Sequence, residues 1–327
     1  MSYFLAGDIG GTKTLLQIFG AGQERTPLLQ KSYPSAAYSG LLEIVDVFLS
    51  EAGTRDVVSA CFALAGPVSG RIVKLTNLPW DAVDADLLSV RLGNAQVTLI
   101  NDFAAVGLGV AALDSSDLLP LQAVQAQERG VRVVVGAGTG LGVAWLSWQD
   151  DGYAVHASEG GHIDFAPCDD LQYALLRYLQ LRHGHVSYER IVSGPGLVAI
   201  FEFLRDTQNM LPSAALSAAM HAGDGAAAIA RFAAGHDETI AIQALALFMK
   251  IYGAFVGNIA LAAMPRGGIY VAGGIAAKIA VQLQGSDFMS AFLDKGRFND
   301  LLATLPLSVV MNPQIGLLGA SRVTQKR

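Results

Sequence analysis

Two glycine-rich turns, each set between short apolar strands, constrain the fold of this chain more than any other feature. The first, Asp8-Ile-Gly-Gly-Thr12, joins the apolar stretches Tyr3–Gly7 and Thr14–Phe19. The second, Gly136–Gly142, stands at the corresponding place about one domain further along the chain. A strand, a glycine-rich turn and a second strand are typical of a β-hairpin, and glycine lets the backbone N–H groups of the tip approach phosphate oxygens. The repeat predicts two related domains, each opening with a hairpin that can bind phosphate.

Strand and helix patterns alternate along the rest of the chain. A helical pattern covers Gly40–Ala52, with its apolar residues on one face. The further predicted strands are Val57–Leu64, Gln96–Ile100, Arg132–Val135, Val143–Trp148 and Gly268–Ala272, and the Ala-rich stretch Ser213–Ala234 is predicted as helix and loop. This alternation indicates an α/β fold. Because the polar run Asp114-Ser-Ser-Asp117 interrupts the apolar pattern, we expect a smaller domain over 1–112, completed by a C-terminal helix over 313–327, and a larger domain over 113–312.

Composition excludes several classes of protein. The 327 residues are 52% hydrophobic and 15% charged, which fits a compact enzyme with a large core rather than a disordered chain. The net charge is −6 and no basic run is interleaved with aromatic residues, so nucleic acid is not expected as a partner. Cys61 and Cys168 stand far apart and form neither a disulfide framework nor a metal motif, which favours the reducing cytoplasm.

Two segments bear on membrane targeting. The N-terminus, Met1–Gly7, has no basic region and is followed at once by an acidic residue, so no signal peptide is expected. The stretch Ile240–Met264 is long and apolar enough to suggest a membrane span, but it contains Gln243, Lys250 and Asn258. Since a charge near the centre of a bilayer is unfavourable, the sequence predicts a buried helix and a cytoplasmic protein without a membrane partner.

Neither of two common nucleotide-binding motifs accounts for the glycine turns. A P-loop needs glycine directly before Lys-Ser/Thr, whereas Thr12 precedes Lys13-Thr14 here. The dinucleotide-binding fingerprint needs the spacing G-x-G-x-x-G, whereas glycines alternate through Gly136–Gly142 and a strand follows. A third glycine pair, Gly273-Gly274, follows another predicted strand. The two matched hairpins therefore need a different nucleotide-binding architecture.

Acidic, amide and imidazole side chains stand close to strand ends and glycine bends. Asn101-Asp102 ends a predicted strand and opens a helix, where such a residue can cap the helix or present its side chain to a ligand. Glu159 and His162 flank a Gly-Gly bend, and Glu189 precedes a glycine-rich turn. These side chains can accept and donate hydrogen bonds to several hydroxyls of a polyol. A structural histidine and a local ion pair of Glu189 remain alternatives.

The two turns resemble those of the actin-like sugar kinase superfamily, and nearly the whole chain resembles the bacterial ATP-dependent glucokinase family. The matching runs are Gly7-Asp-Ile-Gly-Gly-Thr12, Ile100-Asn-Asp-Phe-Ala-Ala105, Gly138-Thr-Gly-Leu-Gly142, Ser158-Glu-Gly-Gly-His162, Glu189-Arg-Ile-Val-Ser-Gly-Pro-Gly-Leu197 and Ala272-Gly-Gly274. Their order and spacing together are far more specific than any one of them. The resemblance implies two actin-like, ribonuclease H-like domains with a mixed sheet in each and an active-site cleft between them.

The resemblance also implies a reaction and its residues. The reaction would transfer the γ-phosphoryl group of MgATP to the 6-hydroxyl of glucose, in a cytoplasmic homodimer. Asp102 would be the general base, and Asp8 would lie near Mg²⁺ through a water, unless it only caps the turn. The implied glucose-binding residues are Asn101, Asp102, Glu159, His162 and Glu189. The implied ATP-binding residues are Gly7, Asp8, Ile9, Gly10, Gly11, Thr12, Lys13, Gly138, Thr139, Gly140, Gly273 and Gly274. Of these, residues 10–13 and 138–140 would face the phosphates, and Gly273 and Gly274 would border the adenosine.

The sequence departs from the family pattern in one respect and from the related ROK family in another. Lys13 stands where related members often have Asn. The ROK family follows its Glu-Gly-Gly-His turn with a cysteine-rich zinc motif, whereas only Cys168 follows here, so no structural zinc is expected. A kinase of another hexose, a sugar-responsive regulator and a non-kinase actin-like ATPase remain alternatives. The regulator is disfavoured because no residues before Met1 form a DNA-binding helix-turn-helix.

Overall fold

The computed structural model describes residues 2–23, 25–54, 56–75, 78–235, 238–285 and 287–325. The strands in these residues are β1 (Tyr3–Ile9), β2 (Lys13–Phe19), β3 (Leu29–Pro34), β4 (Val57–Leu64), β5 (Val68–Ser69), β6 (Ile72–Val73), β7 (Val83–Asp84), β8 (Gln96–Asn101), β9 (Leu118–Gln122), β10 (Arg132–Ala137), β11 (Leu141–Gln149), β12 (Gly152–Ser158), β13 (Gly268–Ala272) and β14 (Leu307–Val310). The α-helices are α1 (Leu41–Ala52), α2 (Ala85–Arg91), α3 (Asp102–Val110), α4 (Asp170–His183), α5 (Gly194–Thr207), α6 (Ala214–Ala222), α7 (Gly225–Ala234), α8 (Thr239–Ala263), α9 (Gly274–Lys278), α10 (Ala280–Leu283), α11 (Asp287–Leu293), α12 (Asn299–Leu302) and α13 (Ile315–Gln325).

The chain divides into two compact units. The first comprises Met1–Ser115, Gln149–Ala157 and Gln314–Arg327, and the second comprises Ser116–Trp148 and Ser158–Pro313. Each unit has its own mixed sheet and its own buried apolar core.

The first unit is built on a five-stranded sheet in the order β3-β2-β1-β4-β8. β1 and β2 form the predicted antiparallel hairpin, and β4 lies parallel to β1 on its other side. Ile9 pairs with Leu64, and Leu64 pairs with Asn101, so these three parallel strands end side by side. The first glycine turn and the Asn101-Asp102 pair therefore lie at the same carboxyl edge of one sheet, where ligands bind in open α/β sheets.

Helices α3 and α13 pack against each other through glycine. A Cβ atom on Gly109 would lie 2.3 Å from the carbonyl oxygen of Ile315, and one on Gly319 would lie 1.8 Å from that of Ala105. Real Cβ atoms do not come so close to backbone oxygens, so neither position accepts a side chain without a shift of one helix. This close packing fixes α3, the helix that begins at Asp102.

The second unit repeats the arrangement of the first. Its strands lie in the order β11-β10-β13-β14-β9. β10 and β11 form the second predicted hairpin, with Gly136 opposite Gly142, and β13 lies parallel to β10, with Ala272 opposite Gly136. The second glycine turn and the Gly273-Gly274 pair thus share the carboxyl edge of this sheet. Both units have a glycine hairpin followed by a parallel strand, which confirms the predicted α/β fold with a mixed sheet in each half.

The long apolar helix α8 is a core helix of the second unit. It is the one helix among the described residues that is long and apolar enough to cross a membrane, but 78% of its most apolar window is buried in the protein. Lys250 of this helix pairs with Asp169 through a 2.9 Å contact between Nζ and Oδ2. Burial within the fold accounts for the apolar sequence of this helix. The prediction of a buried helix over Ile240–Met264 is confirmed.

Most predicted elements agree closely with the observed ones. The strands Val57–Leu64 and Gly268–Ala272 match residue for residue, and the helix predicted from Gly40 begins at Leu41. The Ala-rich stretch divides into α6 and α7 at Gly223-Asp224. Helix α7 starts after Asp224 because this residue is its N-cap: Asp224 Oδ1 accepts a hydrogen bond from Ala227 N.

Candidate active site

The first glycine turn leaves backbone donors available at its tip. Gly10 N donates to the carbonyl oxygen of Lys13 at 3.0 Å and closes the hairpin. Within the described part of the chain, no acceptor is hydrogen-bonded to the N–H group of Gly11 or of Thr12. Thr12 and Lys13 are exposed. Free N–H groups on an exposed glycine turn are the donors that a phosphate group needs.

Asp8 lies beside this turn in a partly desolvated place. It belongs to β1, opposite Leu15, rather than to the turn itself. The pKa of the Asp8 carboxyl is raised to about 6, first by burial and second by the negative charge of Asp102, while the positive charge of Lys13 opposes the rise. Its Oδ2 lies 3.0 Å from the Cβ position of Gly316, so glycine at the start of α13 makes room for the carboxylate. Asp8 accepts no hydrogen bond from the described turn, and the turn-capping alternative is therefore not observed.

The Asp8–Asp102 pair has the chemistry that a magnesium site needs. Two carboxylates whose charges disfavour each other are stabilised when a divalent cation lies near them. Magnesium prefers oxygen ligands and keeps several waters, so it can be held through water by such a pair. The residues present therefore fit the metal that the resemblance implies. The charge of Lys13, whose role the sequence left open, acts on this same carboxylate.

Asn101 and Asp102 have different structural tasks at the start of α3. Asn101 is the N-cap: its Oδ1 accepts hydrogen bonds from Phe103 N at 2.9 Å and Ala104 N at 3.1 Å. Its Nδ2 donates to Gly66 O at 3.4 Å. Asp102 is the first residue of the helix and accepts from the adjacent Phe103 N at 2.8 Å. Of the two alternatives that the sequence left open, capping belongs to Asn101, and Asp102 is not needed for it.

The second glycine turn is tied to α5 and to Glu189. Gly138 N donates to Gly140 O, and Gly194 N at the start of α5 donates to Gly138 O, each at 2.8 Å. Glu189 Oε2 accepts a hydrogen bond from Leu141 N at 2.9 Å. A Cβ atom on Gly140 would lie 2.6 Å from this same oxygen. Glycine at position 140 is therefore what lets the carboxylate reach the turn.

The three residues predicted to bind a polyol in the second unit come together around His162. Its Nε2 lies 3.8 Å from Glu189 Oε1 and 4.0 Å from Glu159 Oε2. The bend between Glu159 and His162 needs glycine, since a Cβ atom on Gly161 would lie 1.9 Å from Leu141 O. His162 and Glu159 are exposed, whereas Glu189 is partly buried. The structure thus forms an acceptor- and donor-rich cluster from residues about 30 positions apart in sequence.

A cavity of about 460 Å³ opens beside the second turn. Among the predicted residues, Gly138, Thr139 and Gly274 line it. Gly273 adopts a positive φ of 91°, and a Cβ atom there would lie 2.4 Å from Ala137 O, so only glycine suits the position. Sequence reasoning missed the remaining walls, which come from α5, α7 and α9 and are mostly apolar: Gly194, Pro195, Leu197, Val198, Asp224, Gly225, Ala226, Ala227, Ala230, Ile275, Lys278 and Ile279.

Two mixed sheets that each carry a glycine hairpin, with carboxylates and an imidazole beside the hairpins, define a sugar kinase of the actin-like superfamily. Comparison with known proteins gives the family. The sequence model of the glucokinase family matches residues 5–327. A glucokinase of Nostoc punctiforme is 43% identical over 98% of this chain and 98% of its own length. The chain belongs to the glucokinase family, which confirms the resemblance seen in its motifs.

Solved structures agree with this assignment. The crystal structure of a glucokinase from an Antarctic psychrotroph superposes with a TM-score of 0.83 at 31% identity, covering 98% of each chain. The structure of a Balamuthia mandrillaris glucokinase in complex with glucose gives a TM-score of 0.83 at 25% identity, covering 99% of this chain and 94% of that one. The actin-like fold class predicted from the sequence is thereby confirmed. The roles of individual residues stay predictions.

Proposed function

We propose that this enzyme transfers the γ-phosphoryl group of ATP to the 6-hydroxyl of glucose. The observation that carries the proposal is the position of Glu189. One of its carboxylate oxygens binds the backbone of the second glycine turn, and the other faces His162. The turn proposed to bind phosphate and the cluster proposed to bind glucose are thus joined by a single side chain. This arrangement suits an enzyme whose phosphoryl donor and acceptor must react with each other.

The phosphates of ATP would be held by backbone N–H groups of the two glycine turns. In the first unit these are the free donors of Gly11 and Thr12, with Gly7 and Ile9 as the buried strand beneath them. In the second unit they are the backbone N–H groups of the glycine turn that contains Thr139. When bound near Asp8, Mg²⁺ would neutralise phosphate charge as the phosphoryl group transfers. Lys13 adds a positive charge on the same side.

Asp102 would act as the general base. Its carboxylate would accept the proton of the 6-hydroxyl as the hydroxyl oxygen bonds to the γ-phosphorus and the bond to the β-bridging oxygen breaks. Because Asn101 caps α3, Asp102 can serve this purpose without loss of the helix start. The close packing of α3 on α13 holds the helix at whose first residue this carboxylate stands.

Glucose hydroxyls that do not react would be bound by the cluster around His162. Glu159 and Glu189 are acceptors, and the imidazole can donate and accept. Asn101 has one Nδ2 hydrogen left after its bond to Gly66 O, which is available to a sugar oxygen. The adenosine would occupy the apolar cavity beside Gly274. Its walls of alanine, leucine, valine and isoleucine suit a flat base.

The cellular location, the oligomeric state and the metal belong to the same proposal. We infer a cytoplasmic homodimer with Mg²⁺ as its metal and no zinc. The described residues include no group of three or more His, Cys, Asp or Glu side chains that could hold a metal ion. Magnesium bound through water and phosphate does not require such a group. The absence of zinc stays a prediction, which metal analysis of the purified protein can check.

The experiment that tests the proposal is a panel of sugars with MgATP, in which ADP production is followed. We expect ADP to form rapidly with glucose and much more slowly without sugar. A higher kcat/KM for another hexose would show that this hexose is the preferred substrate, and the proposed phosphoryl transfer would still hold. Equal ADP release with and without every sugar would contradict the proposal and favour a non-kinase ATPase.

A further inference from the structure

The first glycine turn rests on a buried serine that sequence reasoning did not identify. Ser35 begins a short 3₁₀ helix, Ser35–Ala37, directly after β3, and it is fully buried. Its Oγ donates a hydrogen bond to Gly10 O at 2.9 Å, and its backbone N–H donates to Thr12 O at 3.1 Å. One residue from outside the hairpin therefore holds two of the turn's carbonyl groups.

The neighbouring strand explains why this residue reaches the turn. The pairing of β2 with β3 ends where Lys13 lies opposite Pro34. Proline has no N–H group and cannot extend the ladder of hydrogen bonds. The N–H of Ser35 supplies a bond just beyond the proline. The buried Thr14 Oγ1 lies 3.0 Å from Ser35 Oγ, and because Ser35 gives its only hydroxyl hydrogen to Gly10, Thr14 is the donor in that pair.

The bond to Gly10 sets the direction of a phosphate-facing donor. The carbonyl of Gly10 and the N–H of Gly11 belong to one planar trans peptide, in which they point in opposite directions. A carbonyl that points at the buried Ser35 hydroxyl therefore directs the Gly11 N–H away from the core. Glycine has many backbone conformations available, so without this bond the peptide could rotate.

We propose that Ser35 is a positioning residue for phosphate binding: it fixes the Gly10–Gly11 peptide so that the Gly11 N–H faces the terminal phosphates of ATP. The inference rests on the proposed function, because it takes the first turn as a phosphate-binding turn. Because Ser35 is fully buried, the inference gives it no contact with either substrate. It acts through the backbone of Gly10 and Gly11.

The test compares Ser35→Ala with a matched variant, Ser321→Ala. Ser321 is also fully buried in the first unit; its Oγ accepts from Gln17 Nε2 at 2.6 Å and donates to Leu317 O at 2.8 Å. Ser321→Ala thus removes a buried hydroxyl that does not contact the turn. We expect Ser35→Ala to lower kcat/KM for ATP roughly tenfold, the effect of one lost hydrogen bond. The KM for glucose should stay within about twofold, and Ser321→Ala should keep the wild-type kinetics for both substrates.

A second variant and a second measurement keep the inference testable. If Ser35→Ala does not fold, Ser35→Cys replaces the hydroxyl by a larger group that is a weaker donor, and it should show the same selective loss for ATP. Binding of a non-hydrolysable ATP analogue with Mg²⁺ should weaken in the Ser35 variants and not in Ser321→Ala. Equal losses in the Ser35 and Ser321 variants, or a glucose KM that rises as much as the ATP KM, would overturn the inference. If the wild-type protein showed no sugar-dependent ADP production, that result would contradict the proposed function instead. The binding of the ATP analogue would still test the role of Ser35.

Discussion

Glu189 contacts two different parts of the second unit with its two carboxylate oxygens. Oε2 accepts a hydrogen bond from Leu141 N at 2.9 Å, and Oε1 lies 3.8 Å from His162 Nε2. The first contact holds the backbone of the glycine turn, and the second belongs to the cluster proposed to bind glucose. Substitution can separate these two contacts.

Glu189→Gln should chiefly weaken glucose binding. The amide keeps one oxygen for Leu141 N but removes the negative charge beside His162. We expect the KM for glucose to rise about 10- to 100-fold, the effect of losing a charged hydrogen bond, and the KM for ATP to change by less than about threefold. The control is Glu189→Ala, which loses both contacts and should raise both KM values. Equal increases in the two KM values of Glu189→Gln would contradict the separation.

The raised pKa of Asp8 predicts a pH-dependent stability. The carboxyl of a free Asp has a pKa near 3.8, whereas in the folded protein that of Asp8 is about 6. Ionisation is therefore harder in the folded state, and the charge destabilises the fold at neutral pH by up to about 3 kcal/mol. Below the unfolded pKa both states are protonated, and this destabilisation is absent. It develops as the pH rises from about 4 through 6.

Asp8→Asn should therefore unfold at higher denaturant concentration than the wild type at pH 7.5, without nucleotide or divalent cation. The difference should shrink on acidification and vanish near pH 4. Asp151→Asn, at an exposed aspartate of the same unit, is the control and should show no such difference. A lower stability of Asp8→Asn at pH 7.5 would show that the Asp8 charge is compensated in the fold.

The sequence predicted those features whose signals are local. The two hairpins, the parallel strand Gly268–Ala272 and the core helix α8 follow from glycine turns and apolar periods within short windows. The Glu159–His162 pair also falls within one motif. The family motifs added the remaining candidates, and the structure brings Glu189 to His162.

Long-range contacts left no such signal. Nothing near Ser35 in the sequence shows that its hydroxyl meets Gly10, 25 positions away. The same is true of the bond from Leu141 N to Glu189 and of the cavity walls contributed by α5, α7 and α9. The choice between Asn101 and Asp102 as helix cap was open because both residue types cap equally well. Only the backbone geometry at the end of β8 shows which of the two residues is the cap.

The packing of α3 on α13 predicts a large effect of a small substitution. Gly319→Ala places a Cβ atom 1.8 Å from Ala105 O unless one helix moves. Overpacking of this kind destabilises a core by about 1–3 kcal/mol, and we expect a lower midpoint of unfolding together with reduced kcat, since the shift moves Asp102. Gly152→Ala is the control, because no atom beyond its own residue and its two chain neighbours lies within 4 Å of its Cβ position. Unchanged stability of Gly319→Ala would show that the helices adjust without loss.

Asp102→Asn separates catalysis from helix capping. Asparagine keeps the size of the side chain but cannot accept the proton of the sugar hydroxyl. Since loss of a general base lowers the rate about 10²- to 10⁴-fold, we expect kcat to fall by that factor while glucose still binds. The melting temperature should stay near that of the wild type, because the N-cap of α3 is Asn101. Asn101→Ala is the matched variant for stability and should lose ~1 kcal/mol through the missing cap. An Asp102→Asn enzyme that turned over at nearly the wild-type rate and melted several degrees lower would assign Asp102 to the structure of the helix, and the base would have to be another group.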